Sequence, residues 1–386
     1  MLKFVEELYK IEIQNLSDGK AKIMSVTKIV ITGGPCAGKT TALEYIKTVF
    51  SEKGWTVLFV PETATELINA GVTPLSCKNN FEFQCGLMRL QIEKEKVYQR
   101  AALGMRSEKV LLVCDRGTID NKAYMGDDEF EKVLAELNEN ETRLRDDYEA
   151  VFHLVTAADG AEQFYSNANN SARYETIQAA KETDRKIISA WTGHSHLRII
   201  DNSTGFREKL ERLAAQIIAF VGDPEPLEIE RKYLIEYPDI DALEKNDLCR
   251  RIDISQTYLT YPDGNFFRIR KRGIEENCLY IKTVKKKISE LKRIEIETAL
   301  TAEEYHTLLN DTAAERFTVS KSRYCMVYNS QYFEIDVFPF WKDKALMEIE
   351  LIDENETIDM PKEITVIREV TFESEYKNYN IARNLK

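Results

Sequence analysis

One nine-residue segment constrains the fold of this chain more than any other. Residues 33–41 read GGPCAGKTT, follow the apolar run KIVIT and precede a stretch with helical periodicity. The spacing G-x-x-x-x-G-K-[ST] between a strand and a helix is that of a P-loop, whose backbone N–H groups surround phosphate oxygens at a helix N-terminus. The segment therefore predicts a nucleotide site in a parallel α/β sheet.

The loop predicts contacts with ATP or GTP and with a bound Mg²⁺ ion. Lys39 would reach the β and γ phosphate oxygens, and Thr40 would ligate the metal. A carboxylate is expected at the end of a nearby apolar strand, and the run KVLLVCD ends at Asp115. Because Arg116 and Gly117 follow it, the Asp-Glu pair of AAA+ motors is missing and motor activity is not predicted. The predicted nucleotide-contacting residues of the loop are Gly33, Gly34, Pro35, Cys36, Ala37, Gly38, Lys39, Thr40 and Thr41.

The order of strand-like and helix-like runs divides the chain in two. Over residues 28–221, short β-rich runs alternate with helical stretches, which predicts a doubly wound parallel sheet. Gly222 and Pro224 then end the last helix, and from Leu227 strands rich in Ile, Tyr, Phe and Val indicate an α+β antiparallel sheet or barrel. We therefore predict an N-terminal extension at 1–24, a P-loop domain at 25–221, a linker at 222–226 and a second domain at 227–386.

Charged residues alternate with apolar ones on the strands of the second half. In EIERK, for example, a period of two puts Glu228, Glu230 and Lys232 on one face. A salt-bridged outer face would explain one such strand. Paired acids and paired bases on six or more strands favour instead a polar interior, in which the charges compensate one another and bound phosphate.

With E-x-E-x-K at Glu228–Lys232, the region from Leu227 to the C terminus resembles the CYTH superfamily of triphosphate tunnel metalloenzymes. The resemblance implies a β-barrel that hydrolyses inorganic tripolyphosphate, or a nucleoside or thiamine triphosphate, with Mg²⁺ or Mn²⁺. It implies metal ligands at Glu228, Glu230, Glu334, Asp336, Glu348 and Glu350. It also implies a catalytic role for Lys232 and triphosphate ligands at Arg268, Arg270, Lys282, Arg293, Lys321 and Arg323. These types suit the task, because carboxylates bind hard cations and guanidinium groups bind phosphates.

The region from Met24 to Val221 resembles nucleoside and nucleotide kinases, and among them the P-loop family that includes ribosylnicotinamide-kinase domains and animal channel-translocation GTP-binding proteins. Besides the P-loop, the resemblance is carried by Glu62 after the strand TVLFV, by the pair Phe83-Gln84 and by Arg116. It implies that Glu62 is the general base for an acceptor hydroxyl. It further implies that Phe83 and Gln84 meet a nucleobase and that Arg116 touches acceptor or phosphates.

Two further arginines, Arg173 and Arg185, lie in the polar stretch NNSARYETIQAAKETDRK. In kinases of this kind, a lid at this point carries arginines that stabilise charge on the transferred phosphoryl group. The resemblance therefore implies a nucleotide-site role for both. An exposed, salt-bridged helix explains them equally well.

Charge and cysteine content restrict the partners. The formal net charge of −12 argues against nucleic-acid binding, because an acidic surface repels a phosphate backbone. Seven cysteines without a C-x-x-C pair favour a reducing, cytoplasmic compartment. With no run of 18 apolar residues, integral membrane association is not predicted either. Nucleotides and triphosphates are the expected partners.

Three functions are compatible with these motifs. The first is a triphosphate hydrolase joined to a kinase-like nucleotide-binding domain. The second makes the barrel an adenylate cyclase, which needs a base pocket and a positioned ribose hydroxyl. The third is a nucleotide-controlled switch, in which the barrel binds a polyphosphorylated ligand such as a phosphoinositide headgroup without turnover; the intact carboxylate pairs favour turnover.

Overall fold

A computed structural model describes residues 25–165, 176–222, 229–261, 266–274, 277–287, 293–353 and 355–385 of the chain. The predicted extension at 1–24 and residues 223–226 of the predicted linker lie outside the described residues. Gly222 itself ends a helix in the left-handed conformation, with φ 70°. None of the helices in the described part of the chain is long and apolar enough to cross a membrane.

Five parallel strands form the first sheet, in the order β2-β3-β1-β4-β5. They are β1 (Ser25–Thr32), β2 (Thr56–Val60), β3 (Lys109–Asp115), β4 (Ala150–Leu154) and β5 (Leu197–Ile200). Alternate residues of β1 enter two different apolar clusters, Val30 on one face and Ile29 and Ile31 on the other. Helices therefore cover both faces, as near-continuous apolar strands require. The prediction of a parallel α/β sheet is confirmed.

The helices of this half lie between the strands. They are α1 (Lys39–Glu52), α2 (Thr63–Asn69), α3 (Asn80–Leu103), α4 (Asp127–Leu137), α5 (Glu141–Arg145), α6 (Ile177–Trp191) and α7 (Phe206–Val221). Asn79 caps α3 by accepting a hydrogen bond from the Glu82 N–H, and Thr176 caps α6 in the same way through Ala179. Short 3₁₀ helices occupy Thr118–Tyr124 and Glu162–Phe164.

Nine antiparallel strands form the second sheet, in the order β10-β9-β8-β7-β11-β12-β13-β6-β14. They are β6 (Ile229–Glu236), β7 (Cys249–Thr260), β8 (Phe266–Ile274), β9 (Asn277–Lys287), β10 (Arg293–Leu300), β11 (Glu315–Tyr328), β12 (Gln331–Val337), β13 (Lys344–Leu351) and β14 (Val366–Glu369). Helices α8 (Ile240–Lys245), α9 (Ala302–Leu309) and α10 (Asn378–Asn384) and a 3₁₀ turn at Ser374–Tyr376 complete it. An antiparallel second sheet is thus confirmed, and its closure into a barrel stays a prediction.

Strand register gathers the charges of the second sheet on one face. Arg323 stands opposite Asp336, and Glu348 stands opposite both Glu334 and Lys232. We call this side the charged face and define it by Glu230, Lys232, Arg268, Arg270, Lys321, Arg323, Glu334, Asp336, Glu348 and Glu350. The opposite face is apolar and is covered by Leu243 of α8 and Leu308 of α9.

The two sheets share one buried apolar cluster. Ile252, Ile254, Cys325, Val327 and Tyr332 contribute to it from the antiparallel sheet. Their partners from the parallel half are residues of α5, α6 and β5, among them Leu144, Ile187, Trp191 and Leu197. By register, the five residues of the antiparallel sheet lie on the charged face. The parallel half therefore covers one end of that face.

Polar contacts accompany this apolar junction. The Arg272 side chain is 4% exposed; its Nη1 lies 2.5 Å from Asp146 Oδ2, and its Nη2 donates to the Gly193 carbonyl. The Tyr332 hydroxyl donates to the His194 carbonyl at 2.8 Å and accepts from the Gly193 N–H at 3.2 Å. At the other end of the charged face, α10 packs Tyr379 edge-on against Tyr258, with ring centroids 5.3 Å apart.

We predict that Arg272→Ala destabilises the whole protein by about 3 kcal/mol, because it leaves the buried Asp146 with one partner fewer and the Gly193 carbonyl without its donor. Urea unfolding measures the change. The matched control is Arg251→Ala on the neighbouring strand, whose pair with Asp253 is half exposed and should contribute less than about 1 kcal/mol. Equal losses in the two variants would show that the junction does not stabilise the fold.

Candidate functional site

Two glycines of the P-loop stand where no other residue fits. Gly33 has φ 145°, and a Cβ atom there would lie 2.1 Å from the Leu154 carbonyl oxygen. Gly38 has φ 86°, and a Cβ atom there would lie 2.5 Å from the Phe206 ring. Because α1 begins at Lys39, immediately after this left-handed residue, the turn at Gly38 aims the helix N-terminus into the loop.

Side chains from β4, from the segment after it and from α6 hold the loop in shape. Asp184 of α6 accepts a hydrogen bond from the Gly34 N–H at 2.6 Å, and the same oxygen lies 3.1 Å from His153 Nε2. Thr156 donates through Oγ1 to the Pro35 carbonyl. Sequence reasoning missed Asp184 and His153, because neither stands in a recognisable pattern near the loop. The loop is thus braced before any ligand arrives.

Lys39 is buried, with 8% exposure, and donates to the Gly33 carbonyl at 3.3 Å. Burial, assisted by the nearby Arg116 guanidinium and opposed by the charges of Glu62 and Asp115, lowers the pKa of Lys39 to about 8. A phosphate group beside this ammonium would reverse that shift. Thr40 and Thr41 follow on the first, exposed turn of α1.

Asp115 ends β3 next to this lysine. Its Oδ1 atom is buried and has no hydrogen-bond partner. Burial raises the pKa of Asp115, and Lys39 works against that rise. A buried carboxylate oxygen without a donor fits a metal-ligand position, since a cation would supply the missing contact.

Glu62, Arg116 and Asp120 form a chain of charges beside the loop. Arg116 Nε lies 2.6 Å from Glu62 Oε1, and Arg116 Nη1 lies 3.6 Å from Asp120 Oδ1. Arg116 has φ 68°, which directs its side chain from the end of β3 toward α2. Burial acts to raise the pKa of Glu62, but Arg116 and Lys39 together bring it below its ordinary value. Glu62 is therefore ionised at neutral pH.

A cavity of about 350 Å³ opens beside these charges. Its lining combines the charged groups with aromatic and amide side chains: Glu62, Arg116 and Asp120 with Phe83, Gln84, Gln91, Asn121 and Tyr124. Gln84 is buried, and its Oε1 atom has no hydrogen-bond partner. The structure thus places the predicted pair Phe83-Gln84 in one cavity with the predicted base Glu62.

The two predicted lid arginines are not brought to this cavity by the described structure. Arg173 lies outside the described residues. Arg185 is on α6, exposed, with its Nη2 3.8 Å from Asp247 Oδ2 in the antiparallel half. The Arg185 side chain therefore points to the antiparallel half and not to the cavity.

On the charged face, acids and bases are paired with one another. Arg323 contacts Glu334, Asp336 (2.7 Å) and Glu348 (2.8 Å), and Lys321 contacts Asp336. Lys321, Asp336 and Glu348 are buried and the other two are half-buried, so their charges are tolerable only in pairs. Burial lowers the pKa of Lys321 to about 8, assisted by Arg323 and opposed by Asp336.

Lys232 and the two arginines of β8 extend this arrangement. Lys232 Nζ lies 2.6 Å from Glu348 Oε1 and 3.4 Å from Glu230 Oε1. Burial acts to lower the pKa of Lys232, but Glu348 and Glu230 raise it above its ordinary range. Arg268 and Arg270 lie 3.6 and 3.9 Å from Glu297 of β10, an acid that the sequence stripe contained but that we did not predict as a site residue.

One predicted triphosphate ligand needs correction. Lys282 pairs in register with Ile269, and its Nζ lies 5.3 Å from the Phe267 ring, on the face opposite Arg268 and Arg270. Alternation predicts which residues of one strand share a face. It does not predict the register between strands, which decides whether that face carries the charges of the neighbouring strand. Arg293 is in β10 opposite Lys287, with its side chain outside the described residues, as is Glu228.

The predicted metal ligands of the charged face are not gathered around one point. In the described ranges, no group of three or more His, Cys, Asp or Glu residues is arranged to hold a metal ion. The reason is visible in the ion pairs, since Glu334, Asp336, Glu348 and Glu350 each contact a basic group. The described carboxylates therefore do not form a metal site in this arrangement.

Known proteins resemble parts of this chain. A family model described as AAA domain matches residues 28–209. Two solved structures, described as the hypothetical protein NE1496 and as the inorganic triphosphatase NE1496, are each 29% identical and cover 40% of this chain. They are covered over 97% and 93% of their own lengths, with TM-scores of 0.29 and 0.28. No curated protein matches the chain.

The lowered pKa of Lys39 predicts how nucleotide binding depends on pH. The protonated ammonium attracts phosphate, and its pKa in the ligand-free protein is about 8. Affinity for ATP with Mg²⁺ should therefore be constant between pH 6.5 and 7.5 and fall by up to about tenfold per pH unit above 8. Calorimetric titration measures it. Lys39→Ala should bind at least about tenfold more weakly at pH 7, without a step near pH 8; the same step in this variant would assign the titration to another group.

Proposed function

We propose that this chain is a phosphate-handling enzyme with two sites: a P-loop site that binds ATP or GTP, and a charged face that binds and hydrolyses a triphosphate. The observation that carries the second part is the set of buried and half-buried bases on one face of the antiparallel sheet, Lys232, Arg268, Arg270, Lys321 and Arg323. Guanidinium and ammonium groups concentrated in this way match the charge and shape of linked phosphates. The CYTH resemblance supports the same function.

At the P-loop, each residue would have one task. The backbone of residues 33–38 would surround the phosphates, and Lys39 would neutralise their charge. Asp115 and Thr40 would hold Mg²⁺, which would withdraw charge from the transferred phosphoryl group. Asp184 keeps the loop in its binding shape through Gly34.

At the charged face, the bases would exchange their carboxylate partners for phosphate oxygens. Arg268 and Arg270 stand on one strand, 3.6 and 3.9 Å from Glu297, and would bind neighbouring phosphate oxygens of one triphosphate. Arg323 would have to leave three carboxylates. We include dependence on Mg²⁺ or Mn²⁺ in the proposal, and chelation tests it.

A kinase reaction at the P-loop is a second candidate, favoured by the cavity next to Glu62. Its volume of about 350 Å³ suits a small acceptor, and Gln84 offers a buried, unpartnered carbonyl oxygen to a donor group of that acceptor. Glu62 would accept the proton of the attacking hydroxyl, and Arg116 would hold Glu62 in place.

Variants that each remove one charge show which of the two sites acts on tripolyphosphate. Arg270→Gln should raise the KM for tripolyphosphate by about tenfold or more with a smaller change in kcat, because a phosphate ligand is lost. The control Lys271→Gln removes the same charge from the next residue, which faces the other way opposite Tyr280, and should change KM by less than about twofold. Phosphate release with Mg²⁺ or Mn²⁺, and its loss with chelator, is the measurement.

Lys39→Ala should keep this tripolyphosphatase activity. Loss of phosphate release in Lys39→Ala, together with an unchanged KM in Arg270→Gln, would move the activity to the P-loop and refute the charged-face assignment. Product analysis with ATP distinguishes hydrolysis from the cyclase alternative, since only the cyclase releases pyrophosphate and a cyclic nucleotide.

For the kinase candidate, Glu62→Gln should leave ATP affinity within about threefold and lower phosphoryl transfer to an acceptor by about a hundredfold or more. A panel of nucleosides is screened for phosphorylation by mass spectrometry, and ATP affinity is measured by calorimetry. The control is Glu66→Gln, four residues along on α2, whose exposed side chain pairs with Lys94. Equal transfer by Glu62→Gln and wild type would exclude Glu62 as the base.

A further inference from the structure

The parallel half delivers one basic side chain to the charged face. Arg198 stands on β5, the edge strand of the parallel sheet, which lies against β12 of the antiparallel sheet. Its Nη2 donates to Glu350 Oε2, and His196 Nδ1 lies 3.9 Å from the same oxygen. The Arg198 and Glu350 side chains are both 24% exposed, so the pair is partly withdrawn from water.

Glu350 has acids as its neighbours within its own sheet. It stands opposite Glu230 of β6 in the strand register, and Glu334 on β12 is close enough that the two carboxylates repel. The bases of that sheet are engaged with other acids, Lys232 and Arg323 with Glu348 and Lys321 with Asp336. The ion pairs described for Glu350 both come from the parallel half.

We propose that Arg198 is a positioning residue of the triphosphate site: it holds Glu350 at one end of the charged face and cancels its charge, so that the P-loop half completes the site of the other sheet. This inference rests on the proposed triphosphate function of the charged face. Arg198 acts through Glu350 and is not itself assigned a contact with substrate.

The charge on Glu350 makes this contact consequential. The Arg198 guanidinium contacts the Glu350 carboxylate directly and cancels its negative charge. Without Arg198, an uncompensated negative charge would stand among Glu230 and Glu334 and would repel an anionic triphosphate across a partly buried site.

The test measures tripolyphosphate affinity of the full chain by calorimetry, once with chelator and once with Mg²⁺. Arg198→Gln should weaken binding about tenfold, and Arg198→Lys, which keeps the charge, should stay within about threefold of wild type. With chelator, the double variant Arg198→Gln/Glu350→Gln should recover to within about threefold, because the uncompensated charge is gone. The control Arg212→Gln loses a pair with Asp201 in the same half and should leave the affinity unchanged.

Unchanged affinity in Arg198→Gln would overturn the inference. Weakened affinity that Glu350→Gln does not restore would overturn it as well, since Arg198 would then contact phosphate or support only the fold.

ATP binding and thermal unfolding report whether each variant is folded. Should Arg198→Gln fail to fold, Glu350→Gln alone is measured with chelator: the inference expects tighter tripolyphosphate binding, and equal or weaker binding overturns it. If wild type binds no tripolyphosphate under either condition, the proposed function and the inference both fail; if wild type binds and only the Arg198 results disagree, the inference alone fails.

Discussion

Charges that are withdrawn from water need an opposite charge close by, and this requirement organises the second half of the chain. Asp336 is fully buried and is contacted by both Lys321 and Arg323; Glu348 is shared between Lys232 and Arg323. Neighbouring strands of opposite charge thus neutralise one another in register. A triphosphate that takes the bases would leave the acids to accept cations. The proposed binding of linked phosphates therefore requires the bases of this face to exchange their carboxylate partners for phosphate oxygens.

The P-loop depends on a different constraint, which is that its backbone must be held in an open conformation with several residues at positive φ. Gly33 and Gly38 have positive φ, and Cys36 adopts it without being glycine. Asp184 accepts a hydrogen bond from the Gly34 N–H, and Thr156 donates one to the Pro35 carbonyl, so two consecutive loop residues are held in this shape. Asp184 lies on α6, within the stretch where a lid is predicted, so its hydrogen bond with Gly34 connects that helix to the loop.

The junction joins these two systems. Apolar residues of β7, β11 and β12 enter one cluster with α5 and α6, and Arg272 is neutralised by Asp146 from across the boundary. Separating the halves would expose Ile252, Ile254 and Tyr332 to water and leave Arg272 buried without its acid. The two halves proposed as domains are therefore expected to depend on each other for stability, and Arg198 adds a dependence within the charged face itself.

Local patterns in the sequence determined much of this protein. The spacing of Gly33, Gly38 and Lys39 predicted the turn before α1, and the alternation of apolar and charged residues predicted the strands and the residues that share a face within each of them. Both are short-range properties, set by backbone sterics and by the two-residue period of a strand. Tertiary structure alone decided which charges meet. Register between strands turned Lys282 away from Arg268 and Arg270, brought Glu297 toward those arginines, and paired the acids with bases instead of gathering them around a metal. Packing of α6 within the parallel half placed Asp184 at the P-loop, and packing of the two sheets placed Arg198 at Glu350. These contacts span 150 and 152 residues of chain, and no local pattern encodes them.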